Sequence, residues 1–123
     1  LNLKIVFPLV AVVDGKIVGD ATLHFGERYH RHSAWVRVFL DHASRRQGIG
    51  TLMLRCLIDI ARRVGLQQLY AEIVTTQPQV IKAFEDLGYQ HEVTLRDYFV
   101  TDSGETLDMA IVVLRLVDHS GEF

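Results

Sequence analysis

Arg45-Arg46-Gln47-Gly48-Ile49-Gly50 is the stretch of this chain best suited to hold an anion. It lies between an apolar run at 35–40 and a run of helical periodicity at 51–64. A turn that leaves a strand and opens a helix presents backbone N–H groups that the helix itself cannot use. The helix dipole adds partial positive charge at the same point. Two glycines let bare main chain come close to a ligand, and two arginines stand beside them. Cys56 falls on an apolar helical stripe and reads as core. His30 and His32 would share a face on a strand, but zinc wants three or four convergent ligands and no cysteine is near. They read, like His24 and His42, as polar positions, and no metal is expected.

Three kinds of phosphate loop are candidates for the glycine turn. A Walker A loop requires Gly-x-x-x-x-Gly-Lys-Ser/Thr, a string the chain lacks. A dinucleotide fingerprint needs a third Gly or Ala where Met53 stands, and the unit lies mid-chain behind a hairpin. The third is the diphosphate of coenzyme A, wrapped by one turn of main-chain N–H groups at a helix start. A plain strand-to-helix turn would use the same two glycines.

The surrounding elements follow from periodicity. Positions 3–13 read as a strand that Pro8 makes an edge strand or delays. Asp14-Gly15 is a two-residue hairpin signal, because both positions tolerate positive φ. Strands are then expected at 16–25 and 34–40, with a polar loop between and Trp35 as a core residue. In the helix, Ile49, Met53, Cys56, Leu57, Ile60 and Val64 form one stripe, with Arg55, Asp59, Arg62 and Arg63 largely opposite. Gly65 is a candidate C-terminal cap. Another strand at 67–75 alternates Leu69, Ala71 and Ile73 against Tyr70, Glu72 and Val74. Pro78 suits the first turn of a second helix, which stops at Gly88. Two extended runs, 89–100 and 105–116, flank Thr101-Asp102-Ser103-Gly104 as a hairpin. The expected class is α/β: a mixed, mostly antiparallel sheet with a central parallel strand–helix–strand unit and at least two helices.

Composition narrows the function. At 123 residues the chain reads as one domain, large enough for one core. A net charge of −2 gives no global basic field for nucleic acid. A lone cysteine excludes an internal disulfide. No signal peptide and no long uncharged apolar run is present, so a cytoplasmic protein with no membrane partner is expected. The chain starts at Leu1, which suggests a domain cut from something longer.

The motifs together resemble those of the GNAT superfamily of acyl-CoA-dependent N-acyltransferases, over roughly residues 10–116. That family's hallmark is Arg/Gln-x-x-Gly-x-Gly/Ala at a helix start, matched here by Arg45 through Gly50. Its short helix ending in Tyr-x-x-x-Gly-Phe is matched by Phe84-Glu85-Asp86-Leu87-Gly88-Tyr89. The terminal hairpin resembles that of the protein N-terminal alanine acetyltransferase branch. The resemblance implies that Val38, Phe39 and Leu40 offer main-chain groups to the pantetheine arm and acyl carbonyl. It places Arg45, Arg46, Gln47, Gly48, Ile49, Gly50 and Thr51 at the diphosphate. Gln77 stands where the family often has an asparagine touching the cofactor. Glu72 stands at that branch's general base, and Phe84 at the cofactor-side tyrosine that protonates the departing thiolate. The strand and two helices that usually open the fold have no counterpart before Leu3.

The implied function is transfer of an acetyl group from acetyl-CoA, as co-substrate, to a primary amine of a small molecule or protein. A homodimer is compatible with that reading. Two rivals use the same residues: a catalytically degenerate module that binds acyl-CoA as ligand or sensor, and a structural partner domain.

Overall fold

The structure is a computed structural model and describes residues 6–40, 45 and 48–116. It contains β1 (Val6–Val13), β2 (Lys16–Phe25), β3 (Ser33–Leu40), α1 (Ile49–Arg63), β4 (Gln68–Val74), α2 (Pro78–Asp86), β5 (Gln90–Val100) and β6 (Thr106–Arg115). The six strands form a mixed, mostly antiparallel sheet with one parallel pair, in the order β1-β2-β3-β4-β6-β5. By compactness the chain divides into two units, one reaching Leu69 and the other Tyr70–Arg115.

In the first unit, β1 and β2 form the hairpin that Asp14-Gly15 encodes. Asp14 has φ 50° and Gly15 φ 77°, so both turn residues are left-handed and Val13 pairs with Lys16. Pro8 sits within β1, which is at the edge of the sheet formed by the described residues, and the ladder is irregular between Ala11 and Val12. From β2 and β3, Ala21, Leu23, Ala34 and Val36 are buried. The loop joining these strands contains a 3₁₀ turn, Arg28–His30. Helix α1 packs on this three-stranded layer through Met53, Leu54, Leu57, Ile58 and Ala61.

That face is rotated from the stripe expected above. Leu54, Ile58 and Ala61 are in the core, Cys56 is half-buried and Val64 is exposed. The segment has apolar residues on more than one side, and the sheet selects the side that is buried. Trp35 is likewise 38% exposed and does not belong to the core. Gly65, at φ 83°, ends α1, with Leu66 N–H donating to Ala61 O at 2.9 Å and Gly65 N–H to Arg62 O at 3.2 Å. The chain returns beside β3: Gln67 and Gln68 donate their N–H groups to His32 O at 2.7 and 3.3 Å.

In the second unit, Ala71 and Ile73 of β4 are buried and Glu72 between them is exposed, as alternation requires. Pro78 opens α2 and Gln77 is its N-cap. Gly88, at φ 104°, breaks the chain away from α2. β5 and β6 pair antiparallel, with register shifts between His91 and Val93 and between Leu95 and Phe99. In the second shift Asp97 has φ 50°. Its N–H donates to Asp108 Oδ1 at 2.9 Å, and Thr106 Oγ1 donates to Asp97 Oδ1 at 2.7 Å. Nearly all of β5 is exposed, whereas β6 buries Met109, Ala110, Val112, Val113 and Leu114.

Phe84 and Tyr89 meet edge to face, ring centroids 4.9 Å apart at 79°. Tyr89 is 2% exposed, and its hydroxyl has no hydrogen-bond partner among the described residues. A polar group buried in this way destabilises the fold. Burial also raises the Tyr89 pKa well above the ordinary phenol value. The folded state holds this phenol neutral where the unfolded chain would ionise it, so the group adds no pH dependence below the unfolded pKa of about 10 and stability falls as pH rises above it toward the folded one. Tyr89→Phe is expected to leave urea stability at pH 7 unchanged or raise it by up to about 1 kcal/mol. Above pH ~10 the advantage of the variant should grow by up to about 1.4 kcal/mol per pH unit. Parallel urea titrations of both proteins from pH 7 to 11 measure the gap. A large loss of stability in the variant would show that the hydroxyl is satisfied.

Candidate functional site

The site is built where β3 ends and α1 begins, within the first unit. β3 is positioned by its ladder with β2, in which Leu40, the last strand residue, pairs with Gly19. A Cβ on Gly19 would lie 2.7 Å from Phe39 O and 2.9 Å from Leu40 Cδ1. No side chain fits there, so Gly19 allows the end of β3 to lie against β2. The sequence reading missed Gly19. The available signal was an isolated glycine inside a strand pattern, which marks a close backbone approach.

Arg45 donates from Nε to Leu40 O at 3.3 Å, across five residues of chain. Arg46, Gln47 and His42 lie outside the described residues. Gly48 is the N-cap of α1 at φ 79° and ψ 0°, a left-handed conformation that favours glycine. Among the described residues no side chain caps this helix, and its first turn carries no acidic residue. Among the described residues the first main-chain bond into α1 runs from Leu52 N–H to Gly48 O at 3.0 Å. The N–H groups of Ile49, Gly50 and Thr51 precede it, and by helix geometry they have no intrahelical acceptor. Nothing lies within 4 Å of a Cβ placed on Gly48, and one placed on Gly50 meets only Leu40 Cδ2, at 3.9 Å. Arg62 and Arg63 in the last turn complement the other end of the dipole. An uncapped, acid-free and open helix start fits a diphosphate on chemical grounds.

The structure brings Val38, Phe39, Leu40, Arg45, Gly48, Ile49, Gly50 and Thr51 to this one corner. Phe39 is 63% exposed, and Val38 and Leu40 are half-buried. The other expected residues lie in the second unit. Glu72 is exposed on β4. Gln77 is exposed, and its carbonyl accepts from Val80 N–H at 3.0 Å. Phe84 is buried against Tyr89, and Tyr98 is exposed on β5.

Other candidates of the sequence have ordinary surroundings. Cys56 lines an apolar cleft of about 250 Å³ between β1 and α1, together with Leu9, Val12, Leu52 and Met53. His24 Nε2 and Thr22 Oγ1 are 2.8 Å apart, and His30 and His32 are exposed. Among the described residues no three His, Cys, Asp or Glu side chains converge to hold a metal ion. No helix among them is long and apolar enough to cross a membrane.

A profile of the acetyltransferase (GNAT) family matches residues 4–89. The [ribosomal protein bS18]-alanine N-acetyltransferase of Escherichia coli K12 is 30% identical over 67 residues, covering 54% of this chain and 45% of that protein. The chain thus spans about half the length of the curated relatives it matches. Among solved structures, the ribosomal-protein-alanine N-acetyltransferase of Brucella melitensis is similar with a TM-score of 0.84 at 28% identity, over 89% of this chain and 68% of that one. A Salmonella typhimurium protein solved with its cofactor acetyl-CoA gives 0.85 at 26% identity, over 92% of this chain and 66% of that one.

The two glycines of the corner should respond differently to a methyl group. Gly48→Ala forces a Cβ into the left-handed region and is expected to cost about 1–2 kcal/mol. Gly50→Ala meets an ordinary contact inside a helix and should be neutral, or stabilising by up to about 1 kcal/mol. Urea midpoints of the ligand-free variants decide this. Equal losses would contradict the left-handed geometry at Gly48.

Proposed function

The chain belongs to the acetyltransferase (GNAT) family, and from that premise we propose that it moves an acetyl group from acetyl-CoA to a primary amine of a protein or small molecule. The observation that carries this reading is the start of α1, with Gly48 at positive φ, no side-chain cap and no acid in its first turn. A diphosphate there receives the N–H groups of Gly48, Ile49, Gly50 and Thr51 and the positive end of the helix dipole. Arg46 and Gln47 complete the loop, and the main chain of Val38, Phe39 and Leu40 receives the pantetheine arm and the thioester carbonyl. Main-chain N–H groups aimed at that carbonyl stabilise the charge that develops on it.

The acceptor must be neutral to attack. An α-amine, with a pKa of about 7.7–8, is far more often neutral near pH 7 than a lysine side chain at about 10.4. A polypeptide N-terminus is therefore the easier acceptor, which agrees with the alanine named for the ribosomal-protein relatives. Glu72 is the general base in this reading, and its exposure on β4 leaves the carboxylate open to an amine or an intervening water. As the new C–N bond forms and the C–S bond breaks, the amine proton passes to Glu72 and the thiolate leaves. A thiol of pKa about 8.5 is a tolerable anion, so solvent can return its proton. Gln77 is a further cofactor contact, and a cytoplasmic location suits the co-substrate.

Phe84 favours a second reading. A phenyl ring has no proton to give, and Phe84 is packed into the core edge to face with Tyr89. A module that binds acyl-CoA without turnover would have the same corner and the same aromatic pair.

Free thiol release from acetyl-CoA, measured with a panel of N-terminal peptides, lysine analogues and small amines, separates the two. Amine-dependent release is expected; tight binding without release would favour the second reading. Gly48→Glu should abolish coenzyme A binding in calorimetry, because its carboxylate would take the phosphate position; retained binding would remove the corner as the site. Glu72→Gln should lower turnover at pH 7 by roughly 10²-fold with cofactor affinity little changed. An unchanged rate would take Glu72 out of the mechanism.

A further inference from the structure

Arg45 belongs to the motif that the anion-site reading surrounds with phosphate, yet its Nε is engaged by the protein's own main chain. Its Nε donates to Leu40 O at 3.3 Å, tying the last residue of β3 to the turn before α1. Leu40 is also confined elsewhere. Gly19 lies opposite it in the ladder, with 2.9 Å between Leu40 Cδ1 and the point where a Cβ would be. Its Cδ2 lies 3.9 Å from the same point on Gly50, in the first turn of α1. One leucine therefore touches β2, the turn and the helix start. A shift of Leu40 would move the end of β3 and the mouth of α1 together.

We propose that Arg45 is a positioning residue, a strap that holds the Leu40 carbonyl and so sets the geometry of the acyl-CoA corner, and that its effect does not come from a charge on the diphosphate. The atom count makes this specific. The donor is Nε, the fourth side-chain atom from Cα along the chain Cβ–Cγ–Cδ–Nε. Glutamine has an N–H donor, Nε2, at the same count and no charge. Lysine keeps the charge, but its ammonium is one atom further out and its fourth atom is carbon. The strap therefore predicts that glutamine replaces Arg45 and lysine does not, the reverse of what a phosphate contact predicts.

The consequence for turnover rests on the acetyl-transfer reading; the strap itself does not. The test uses Arg45→Gln, Arg45→Lys and Arg45→Ala with two donors, acetyl-CoA and S-acetylpantetheine, which lacks the diphosphate. The Gln variant should stay within about 3-fold of the parent kcat/KM on both donors. The Lys and Ala variants should fall on the order of 10-fold or more, by the same factor on both, because a misplaced corner affects either donor. A loss confined to acetyl-CoA, or activity kept by Lys and lost by Gln, would overturn the proposal. Amide hydrogen exchange at the end of β3, in ligand-free protein, gives a separate readout. It should speed up several-fold in the Lys and Ala variants and stay at the parent rate in the Gln variant; equal exchange in all four proteins would also overturn the strap. If the parent turns over neither donor, acetyl transfer has failed as a function, and the exchange rates still decide the strap.

Discussion

The first turn of α1 sets the main constraint on this structure. A helix cannot use its own first N–H groups, and proteins usually answer this with a Ser, Thr, Asp or Asn side chain at the cap. Here the cap position is Gly48, in a left-handed conformation, and among the described residues no side chain serves. That arrangement gives up helix stability to keep a cluster of donors open. The neighbouring features support it. Gly50 keeps the turn bare, Leu40 packs beside it, and Gly19 lets the end of β3 lie close enough for both. Stability for the unit comes from elsewhere, from Leu23 and Leu57, both fully buried.

Much of this was legible because it is local. Asp14-Gly15 specifies its turn through two residues that tolerate positive φ, and Gly65 ends α1 for the same reason. Alternation in β4 placed Ala71 and Ile73 inside and Glu72 outside without knowledge of any neighbour. The start of α1 was visible as two glycines at a strand-to-helix junction. What was not legible depends on distant partners. The buried face of α1 turns on what β2 and β3 present to it, and a segment with Leu52, Leu54, Leu57, Ile58 and Ile60 offers more than one apolar stripe. Trp35 is exposed because its face of the strand is not the one α1 covers. Gly19 needed its cross-strand partner, Leu40, which is known only once the β2–β3 register is known.

The aromatic pair at the end of α2 is part of the core of the second unit. Phe84 and Tyr89 place one hydroxyl in the contact, on the ring at the start of the chain leading into β5 and not on the helix. A phenol oxygen without a partner in an apolar setting opposes burial. Substitution at Tyr89 is therefore governed first by packing.

β1 is eight residues long, lies at the sheet edge and has no charged side chain. An edge of that kind is a template on which a foreign strand can add, and proteins commonly block it with lysine, proline or a bulge. With no lysine in the segment, the block falls to Pro8, which has no N–H to offer, and to the irregularity at Ala11 and Val12. Pro8 and the irregularity between Ala11 and Val12 are features of the kind that make an exposed strand a poorer template for strand addition.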